Sequence, residues 1–294
     1  MHYIFLDLEW NNAYSKIHHR FVNEIIEIGA VKLNEDFEEI GRFDVFVKSR
    51  ITKKLGSRFK NLTNISNEEM SEGVDFLEAV TKFAGFCGDD FITITWSNSD
   101  LYAIAENFHL FLGRLPDSYF RQYLDLQKFY QIIYGNSNGN QISLKNAAEN
   151  VGINLESLSL HRASDDSAVT AEIFKRIMDK GDYKSLLVDT ASPDFYKRLT
   201  FKPYLIDDPK SEFINKKDLS FKCPTCHKPA KAISEWTVKN KQFYNIMECN
   251  SCRLKFRARV RIKKCYDSTA VKKSIVVIKN KKSESVKSKE KQTL

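Results

Sequence analysis

This chain of 294 residues has no long apolar run. None of its stretches approaches the roughly 18 consecutive apolar residues that a membrane-spanning helix needs, which excludes an ordinary membrane protein. The first apolar run, Tyr3 to Leu6, meets Asp7 and Glu9 before the apolar core of a signal peptide could form. We therefore expect a cytoplasmic protein without a membrane partner.

Cysteine is scarce as well, and its placement argues against disulfide bonds. Four of the six cysteines form two CxxC pairs, Cys223 with Cys226 and Cys249 with Cys252. In a chain without an export signal, such pairs indicate a metal site. Four thiolates would complete the tetrahedral shell of one structural zinc ion; the alternative is a set of packing or redox cysteines.

What the chain does contain is enough apolar material for a packed core, with 42% hydrophobic against 29% charged residues. At about 150 residues per domain, its length indicates two domains. Residues 1–215 carry 24 Lys and Arg against 32 Asp and Glu, and residues 216–294 carry 22 against 6, giving net charges of −8 and +16. The basic end predicts a polyanionic partner, although its last residues also fit a solvated tail.

Strand and helix patterns follow one another along the first half of the chain. Apolar runs or period-two alternation predict strands, and i, i+3, i+4 stripes predict helices with Ser143 and Ser164 as N-caps for the last two. The fold class is therefore α/β, a sheet layered with helices. The predicted strands are 3–6, 22–33, 42–48 and 91–96. The predicted helices are marked by a stripe at Leu77, Val80 and Ala84 and by residues 101–112, 144–151 and 165–177.

Composition divides the chain into four regions. We expect a first domain over 1–182 and a connector over 183–215, which holds three of the six prolines. A basic, cysteine-containing module should cover 216–266. Residues 267–294 turn to lysine and serine and are expected to form a disordered tail.

Acidic residues mark a candidate site in the first domain. Asp7 and Glu9 are two apart on a strand, so both side chains leave the same face of the sheet and together favour a cation. Asp100 and the pair Asp165 and Asp166 stand at predicted helix starts. Taken singly, each could simply complement the helix dipole.

Taken in order, these residues resemble a known family. Asp7-x-Glu9, then Asp100 after WSNS, then the segment His161 to Asp166 (HRASDD) resemble the three sequence blocks of DEDDh 3′–5′ exonucleases, the DnaQ and RNase T-like family. The resemblance covers about residues 1–180 and includes EIIEIGAVKL, LTNIS and YLDLQ. It implies an RNase H-like fold, with a mixed sheet flanked by helices.

The resemblance also implies roles for single residues. Asp7, Glu9 and Asp166 would bind one Mg²⁺ or Mn²⁺ ion, Asp7 and Asp100 would hold a second, and His161 would be the general base. Such an enzyme hydrolyses single-stranded nucleic acid to nucleoside 5′-monophosphates. RNA is slightly favoured over DNA, because no polymerase-tethering segment is evident.

Two alternatives stay open. The chain could be a non-catalytic nucleic-acid-binding or regulatory protein with an inert nuclease-like domain, although no member of the acidic and histidine set is missing. It could also be a scavenger of the shortest oligonucleotides. Contacts to the terminal base are a further open point, since apolar residues are more often core; the candidates are Trp10, Leu62, Ile65 and Phe108.

The cysteine pairs enclose a predicted hairpin. Residues 234–238 and 242–247 have strand patterns and meet around Lys239, Asn240 and Lys241, where asparagine tolerates left-handed geometry. The interval between the pairs slightly exceeds the usual 15–20 or so residues, and the hairpin accounts for it. Two CxxC pairs around a hairpin look like a zinc ribbon.

A strictly alternating segment follows the last cysteine. Period two places the apolar residues on one strand face and five cations on the other. A solvated face would satisfy this pattern, but a row of like charges repels itself, so a nucleic-acid partner is the better interpretation. The five cations are Lys255, Arg257, Arg259, Arg261 and Lys263.

Overall fold

In the computed structural model of the protein, a six-stranded mixed sheet organises the first of two units, Met1–Thr200, and the second unit is Phe201–Leu294. The structure describes residues 1–56, 59–60, 63–116, 119–135, 141–155 and 161–278. The strands of the first unit are β1 (His2–Ser15), β2 (Arg20–Leu33), β3 (Glu39–Phe46), β4 (Phe91–Thr95), β5 (Gln122–Asp125) and β6 (Val188–Asp189).

Helices connect and cover these strands. Within the described residues they are α1 (Asn67–Glu72), α2 (Phe76–Cys87), α3 (Ser99–Leu112), α4 (Leu126–Tyr134), α5 (Leu144–Asn150), α6 (Ala163–Ile177), a 3-10 helix (Tyr183–Leu186) and α7 (Pro193–Thr200). Ser143 caps α5 as predicted, since its hydroxyl accepts a hydrogen bond from the N–H of Asn146.

The strand order is β3-β2-β1-β4-β5-β6. The pairs β1–β2, β2–β3 and β5–β6 are antiparallel, whereas β1–β4 and β4–β5 are parallel. One apolar cluster packs Phe5 and Val31 under Phe174 of α6, and a second packs Leu6 under α2 and α3 on the other face. The predicted α/β class, a mixed sheet flanked by helices, is confirmed.

Strand β1 is much longer than its apolar run predicts. It pairs with β2 from Tyr3↔Leu33 to Ser15↔Arg20, with a register shift at Glu9 and Trp10. Beyond the shift, buried Ala13 and exposed Tyr14 continue the alternation of a strand. Pairing with β2 therefore extends β1 well beyond the apolar run from which the strand was predicted.

Helix α6 begins earlier than predicted. Its first residue is Ala163 and its N-cap residue is Arg162, so Ser164 is inside the first turn and is not the cap. The reason is a long-range contact. A carboxylate oxygen of Glu27 on β2 accepts a hydrogen bond from the N–H of Ala163. It thereby satisfies an N-terminal N–H of the helix that a capping side chain would otherwise bind.

The second unit is built on another sheet, in the order β13-β12-β11-β9-β8, with β10 paired to β11 and β7 paired to β12. A small core with Phe243, Phe256 and Val260 lies on one face of it. The strands are β7 (Tyr204–Leu205), β8 (Phe221–Lys222), β9 (Pro229–Ala232), β10 (Thr237–Lys239), β11 (Gln242–Cys249), β12 (Lys255–Lys264) and β13 (Thr269–Val277).

The hairpin predicted between the cysteine pairs is present as β10 and β11. Lys239 pairs with Gln242, and the turn consists of Asn240 and Lys241, which have φ angles of 50° and 53°. Both residues are left-handed, the geometry of a tight two-residue turn. The expectation that Asn240 supports such a turn is confirmed.

The region boundaries differ from the expected ones in two places. The expected connector, 183–215, contains the 3-10 helix, β6, α7 and β7, and the division into units falls inside it, between Thr200 and Phe201. In the expected tail, Thr269–Val277 is strand β13, because the exposed backbone edge of β12 offers it a nine-residue ladder. Residues 279–294 lie outside the described residues. No described helix is long and apolar enough to cross a bilayer.

Candidate active site

Four acidic side chains from three elements line one cleft of about 230 Å³ in the first unit. Asp7 and Glu9 lie on β1. Asp100 lies in the first turn of α3, shortly after the chain leaves β4, and Asp166 lies in the first turn of α6. The structure thus brings together the four carboxylates that the sequence singles out.

His161 lies directly before α6 with an exposed side chain. One of its ring nitrogens and carboxylate oxygens of Glu9 and Asp166 lie within 4.8 Å of one another. Its backbone N–H points to both carboxylate oxygens of Asp166, at 3.4 Å each. The φ angle of His161 is 74°, a left-handed geometry that is uncommon for residues other than glycine. Asp165 follows in the same first turn but does not line the cleft.

Burial and mutual repulsion raise the pKa values of the acids in the cleft. Burial is the largest cause for Asp7, and the charges of Asp100 and Asp166 raise its pKa further. Burial raises the pKa of Glu9 to about 8 and that of Asp100 to about 7, and it also raises the pKa of Asp166. A divalent cation would offset both the lost solvation and the repulsion, so this donor set fits a hard metal ion.

Replacing Glu9 by glutamine is expected to stabilise the first unit in chelator, increasingly so as the pH rises from 5 to 8. The pKa of Glu9 is about 8 in the folded chain and about 4.3 in an unfolded one, so the folded state holds the extra proton. Wild-type stability therefore falls as the pH rises through this window, whereas glutamine has no proton to lose.

Thermal melts in EDTA test this expectation. The melting temperature of Glu9→Gln should exceed that of the wild type by about 2–5 °C more for each pH unit. If the difference in melting temperature between the variant and the wild type became smaller as the pH rises, the raised pKa of Glu9 would be contradicted.

A fifth acid, Glu27 on β2, lies across the ladder from Glu9 and is fully buried. Its carboxylate accepts hydrogen bonds from Nε and Nη2 of Arg162, at 3.0 and 2.8 Å, and from the N–H of Ala163, at 3.2 Å. Glu27 lies between Ile26 and Ile28, and all three side chains are buried. A buried charge needs a partner, and here the partner comes from the segment between His161 and α6.

Gly29, two residues along β2, touches the same helix start. A Cβ atom at this position would lie 2.2 Å from the carbonyl carbon of Ala163 and from the backbone nitrogen of Ser164. Only a residue without a side chain allows this approach. Glu27 and Gly29 therefore fix where α6 begins, and with it the position of Asp166.

Glu27→Gln is expected to lower kcat by about 10–100-fold, the usual cost of losing a group that orients a metal ligand. The amide cannot accept the paired bonds of Arg162 as a charged group does, so the turn that carries His161 and Asp166 loosens. The Michaelis constant should change little, because Glu27 does not line the cleft.

A matched control exists in Glu106 of α3. Its buried carboxylate also pairs with an arginine, Arg20, and accepts a hydrogen bond from the N–H of Asn23. Glu106→Gln should cost similar thermal stability and leave kcat unchanged. If both variants lost kcat equally, the effect of Glu27→Gln would reflect general destabilisation of the fold, and the specific role of Glu27 in positioning Asp166 would be contradicted.

The residues proposed from the sequence to contact the terminal nucleotide base do not all lie at the cleft. Trp10 lines the cleft beside the acids, whereas Ile65 and Phe108 are buried core residues. Leu62 lies outside the described residues. Phe59, Trp96 and Leu144 also line the cleft; the sequence gives no signal for them, because only the fold brings them to it.

The four predicted zinc ligands meet in the second unit. Sulfur atoms lie 3.6 Å apart for Cys223 and Cys252, 3.3 Å for Cys226 and Cys249, and 3.6 Å for Cys226 and Cys252. Four sulfurs around a tetrahedral zinc ion at 2.3 Å would be separated by about 3.8 Å. Hydrogen bonds from the backbone N–H groups of Cys252 and Ser251 lower the pKa of Cys249 to about 6, which favours the thiolate that binds metal. The cluster is consistent with a zinc ribbon.

The five predicted cations form a row on β12, and each of them is exposed. The residues between them are fully buried. The alternation that the sequence predicts is therefore present. The row belongs to the second unit.

Comparison with known proteins identifies the first unit. Residues 4–174 match the RNase T family, whose members are described as exonucleases. The chain belongs to this exonuclease family. The prediction of a 3′–5′ exonuclease of the DEDDh type, drawn from the acidic and histidine blocks, is confirmed.

Relatives and solved structures agree with this assignment. The exonuclease is 27% identical to the probable 3′–5′ exonuclease KapD of Bacillus subtilis over 164 residues, which cover 55% of this chain and 77% of KapD. It is 29% identical to the PolC-type DNA polymerase III of Clostridium perfringens over 191 residues, which cover 63% of this chain but 12% of the polymerase.

Among solved structures, the nuclease domain of 3′hExo, a DEDDh family member bound to rAMP, is similar with a TM-score of 0.54 and 21% identity. The match covers 61% of this chain and 92% of that domain. At this identity, the likeness shows that the two share a fold.

Proposed function

We propose that the protein is a metal-dependent 3′–5′ exonuclease that removes nucleoside 5′-monophosphates from single-stranded nucleic acid, with RNA slightly favoured over DNA. One observation carries the proposal. Four carboxylates from β1, α3 and α6 line a single cleft, and His161 lies within 4.8 Å of two of them. An inert nuclease-like domain would have no reason to keep all five groups.

The carboxylates are assigned to two Mg²⁺ or Mn²⁺ ions. Asp7, Glu9 and Asp166 would hold one ion, and Asp7 with Asp100 would hold the other. When bound, the ions supply charge that activates water and stabilises the reacting phosphate. Burial and the neighbouring carboxylates raise the pKa values of the cleft acids, because their charged forms are unfavourable without a counter-ion. A bound cation would stabilise these charged forms.

His161 is the proposed general base. It accepts the proton of the water that attacks the terminal phosphodiester, the bond from phosphorus to the 3′ oxygen breaks, and that oxygen takes up a proton. Asp166 accepts the backbone N–H of His161, and Glu27 holds Arg162 beside it. These contacts orient the imidazole towards Glu9 and Asp166.

The second unit is assigned to structure and to substrate binding. Cys223, Cys226, Cys249 and Cys252 would hold one structural Zn²⁺ ion, with no open position for chemistry. The row of cations on β12 would contact the nucleic-acid strand. We propose these residues as the nucleic-acid contacts: Lys255, Arg257, Arg259, Arg261 and Lys263.

A time course on 5′-labelled oligonucleotides tests the proposal. With Mn²⁺ or Mg²⁺, single-stranded RNA and DNA of several lengths should shorten one nucleotide at a time from the 3′ end, and chelator should stop the reaction. Faster shortening of RNA would support the substrate preference. A label that stays at full length with either ion would favour the inert binding protein, and cleavage limited to the shortest strands would favour the scavenger.

A further inference from the structure

The row on β12 is part of a larger cationic face. In the cross-strand register, Lys231 of β9 shares a face with Lys255, through Glu248 of β11. Lys239 of β10 and Lys272 of β13 share the same face with Arg261. We define the cationic face by these eight side chains: Lys231, Lys239, Lys255, Arg257, Arg259, Arg261, Lys263 and Lys272.

Acidic groups hardly offset this charge. The pairing partners of β12 on this face include one carboxylate, Glu248, which lies 3.5 Å from Arg253 outside the face. Within the described part of the chain, none of Arg257, Arg259 and Arg261 has a carboxylate at ion-pair distance. Eight cations on strands about 4.8 Å apart repel one another, and a bound polyanion would remove that cost.

The face is divided into a centre and a perimeter of different chemistry. The three arginines occupy the middle of β12, and lysines stand at its two ends and on the outer strands. Apolar groups lie among the arginines. Tyr244 and Ile246 of β11 stand opposite Arg259 and Arg257, and Val276 of β13, 56% exposed, stands on the other side of Arg257.

This division distinguishes a single strand from a duplex. Lysine is a compact, hydrated charge suited to phosphate, whereas the flat guanidinium of arginine also stacks on bases. Contact with base faces would stabilise the half-buried ring of Tyr244 and the exposed side chain of Val276, and an unpaired strand presents these faces whereas a duplex conceals them. The guanidinium of Arg259 already lies 5.4 Å from the ring centroid of Tyr244, so the two planar groups form one surface.

We propose that the cationic face binds an unpaired nucleic-acid strand, with bases over its central arginines and Tyr244 and with phosphates against the surrounding lysines. The inference rests on the proposed function for the identity of the ligand as nucleic acid. It adds contacts beyond β12 and assigns different partners to arginine and lysine.

The test uses the full chain with Asp7→Asn, so that bound strands are not degraded. The combined variant Arg257→Lys, Arg259→Lys and Arg261→Lys keeps the charge and changes only the planar groups. Affinity for a single-stranded oligonucleotide should fall about 10–100-fold, since base stacking contributes on the order of 1–3 kcal/mol per base. Affinity for an abasic strand of equal length, and the slope of affinity against salt, should not change.

A second triple variant is the control. Lys255→Arg, Lys263→Arg and Lys272→Arg should retain the preference for the base-containing strand. Tyr244→Ala should lose part of that preference and Tyr244→Phe should keep it, which gives a further readout from another strand of the sheet.

Two results would overturn the inference: unchanged affinity of the arginine-to-lysine variant for the base-containing strand, or a blunt duplex bound as tightly as a single strand. Failure of the proposed function looks different. A wild-type chain that hydrolyses nothing, while the face still prefers bases, would contradict the nuclease activity and support the assignment of the face.

Discussion

Asp7→Asn is expected to lower the rate of hydrolysis by about 10³-fold or more, because a lost ligand removes several kcal/mol of transition-state stabilisation. Asp7 lies at the centre of the cleft's charge: Asp100, Asp166 and Glu9 all raise its pKa. The same substitution should raise the melting temperature in EDTA, because one repelling charge disappears. Rates with Mn²⁺ and melts in chelator check both expectations.

The first turn of α6 offers a matched pair of substitutions for the same test. Asp166→Asn should be as damaging as Asp7→Asn, whereas Asp165→Asn, one residue away and not lining the cleft, should remain active. Undiminished turnover in Asp7→Asn or Asp166→Asn would remove the assignment of the site.

His161→Ala is expected to lower kcat by about 10²–10⁴-fold, the usual contribution of a general base. The exposed ring makes few contacts that stabilise the fold, so the melting temperature should stay close to that of the wild type. The requirement for Mn²⁺ or Mg²⁺ should also remain, because four carboxylates are intact. Single-turnover rates at saturating oligonucleotide measure the chemical step directly.

His109 provides the comparison for this variant. It is an exposed histidine in the last turn of α3, and His109→Ala should leave turnover unchanged. A defect of His161→Ala that appears only in substrate affinity would contradict the role of a base.

The sequence predicts much of the first unit, because its strands carry clear apolar runs and its ligands follow a recognisable order. Tyr3 to Leu6, the strand before Trp96 and the helix after Ser143 are all present. Elements with local signals are the ones predicted correctly. Asp7, Glu9 and Asp166 also have local signals, since each lies beside an apolar run or a helix start, and the structure places all three in one cleft.

Features set by distant partners were predicted poorly. No local signal marks Glu27 for burial, yet Arg162 pairs with it in the interior. The same contact moves the N-cap of α6 from Ser164 to Arg162. Strand β13 is another example, since only the ladder with β12 makes a strand of that lysine-containing segment. In each case, the deciding interaction joins segments that no local pattern connects.

The order of elements also has a consequence for protein synthesis. Three carboxylates, on β1 and α3, are made early, whereas Asp166 and His161 arrive with α6, whose Phe174 completes the apolar layer over one side of the sheet. A nascent chain that has emerged only as far as α5 therefore lacks both a ligand and the base. A half-made copy of this enzyme should therefore have no nuclease activity.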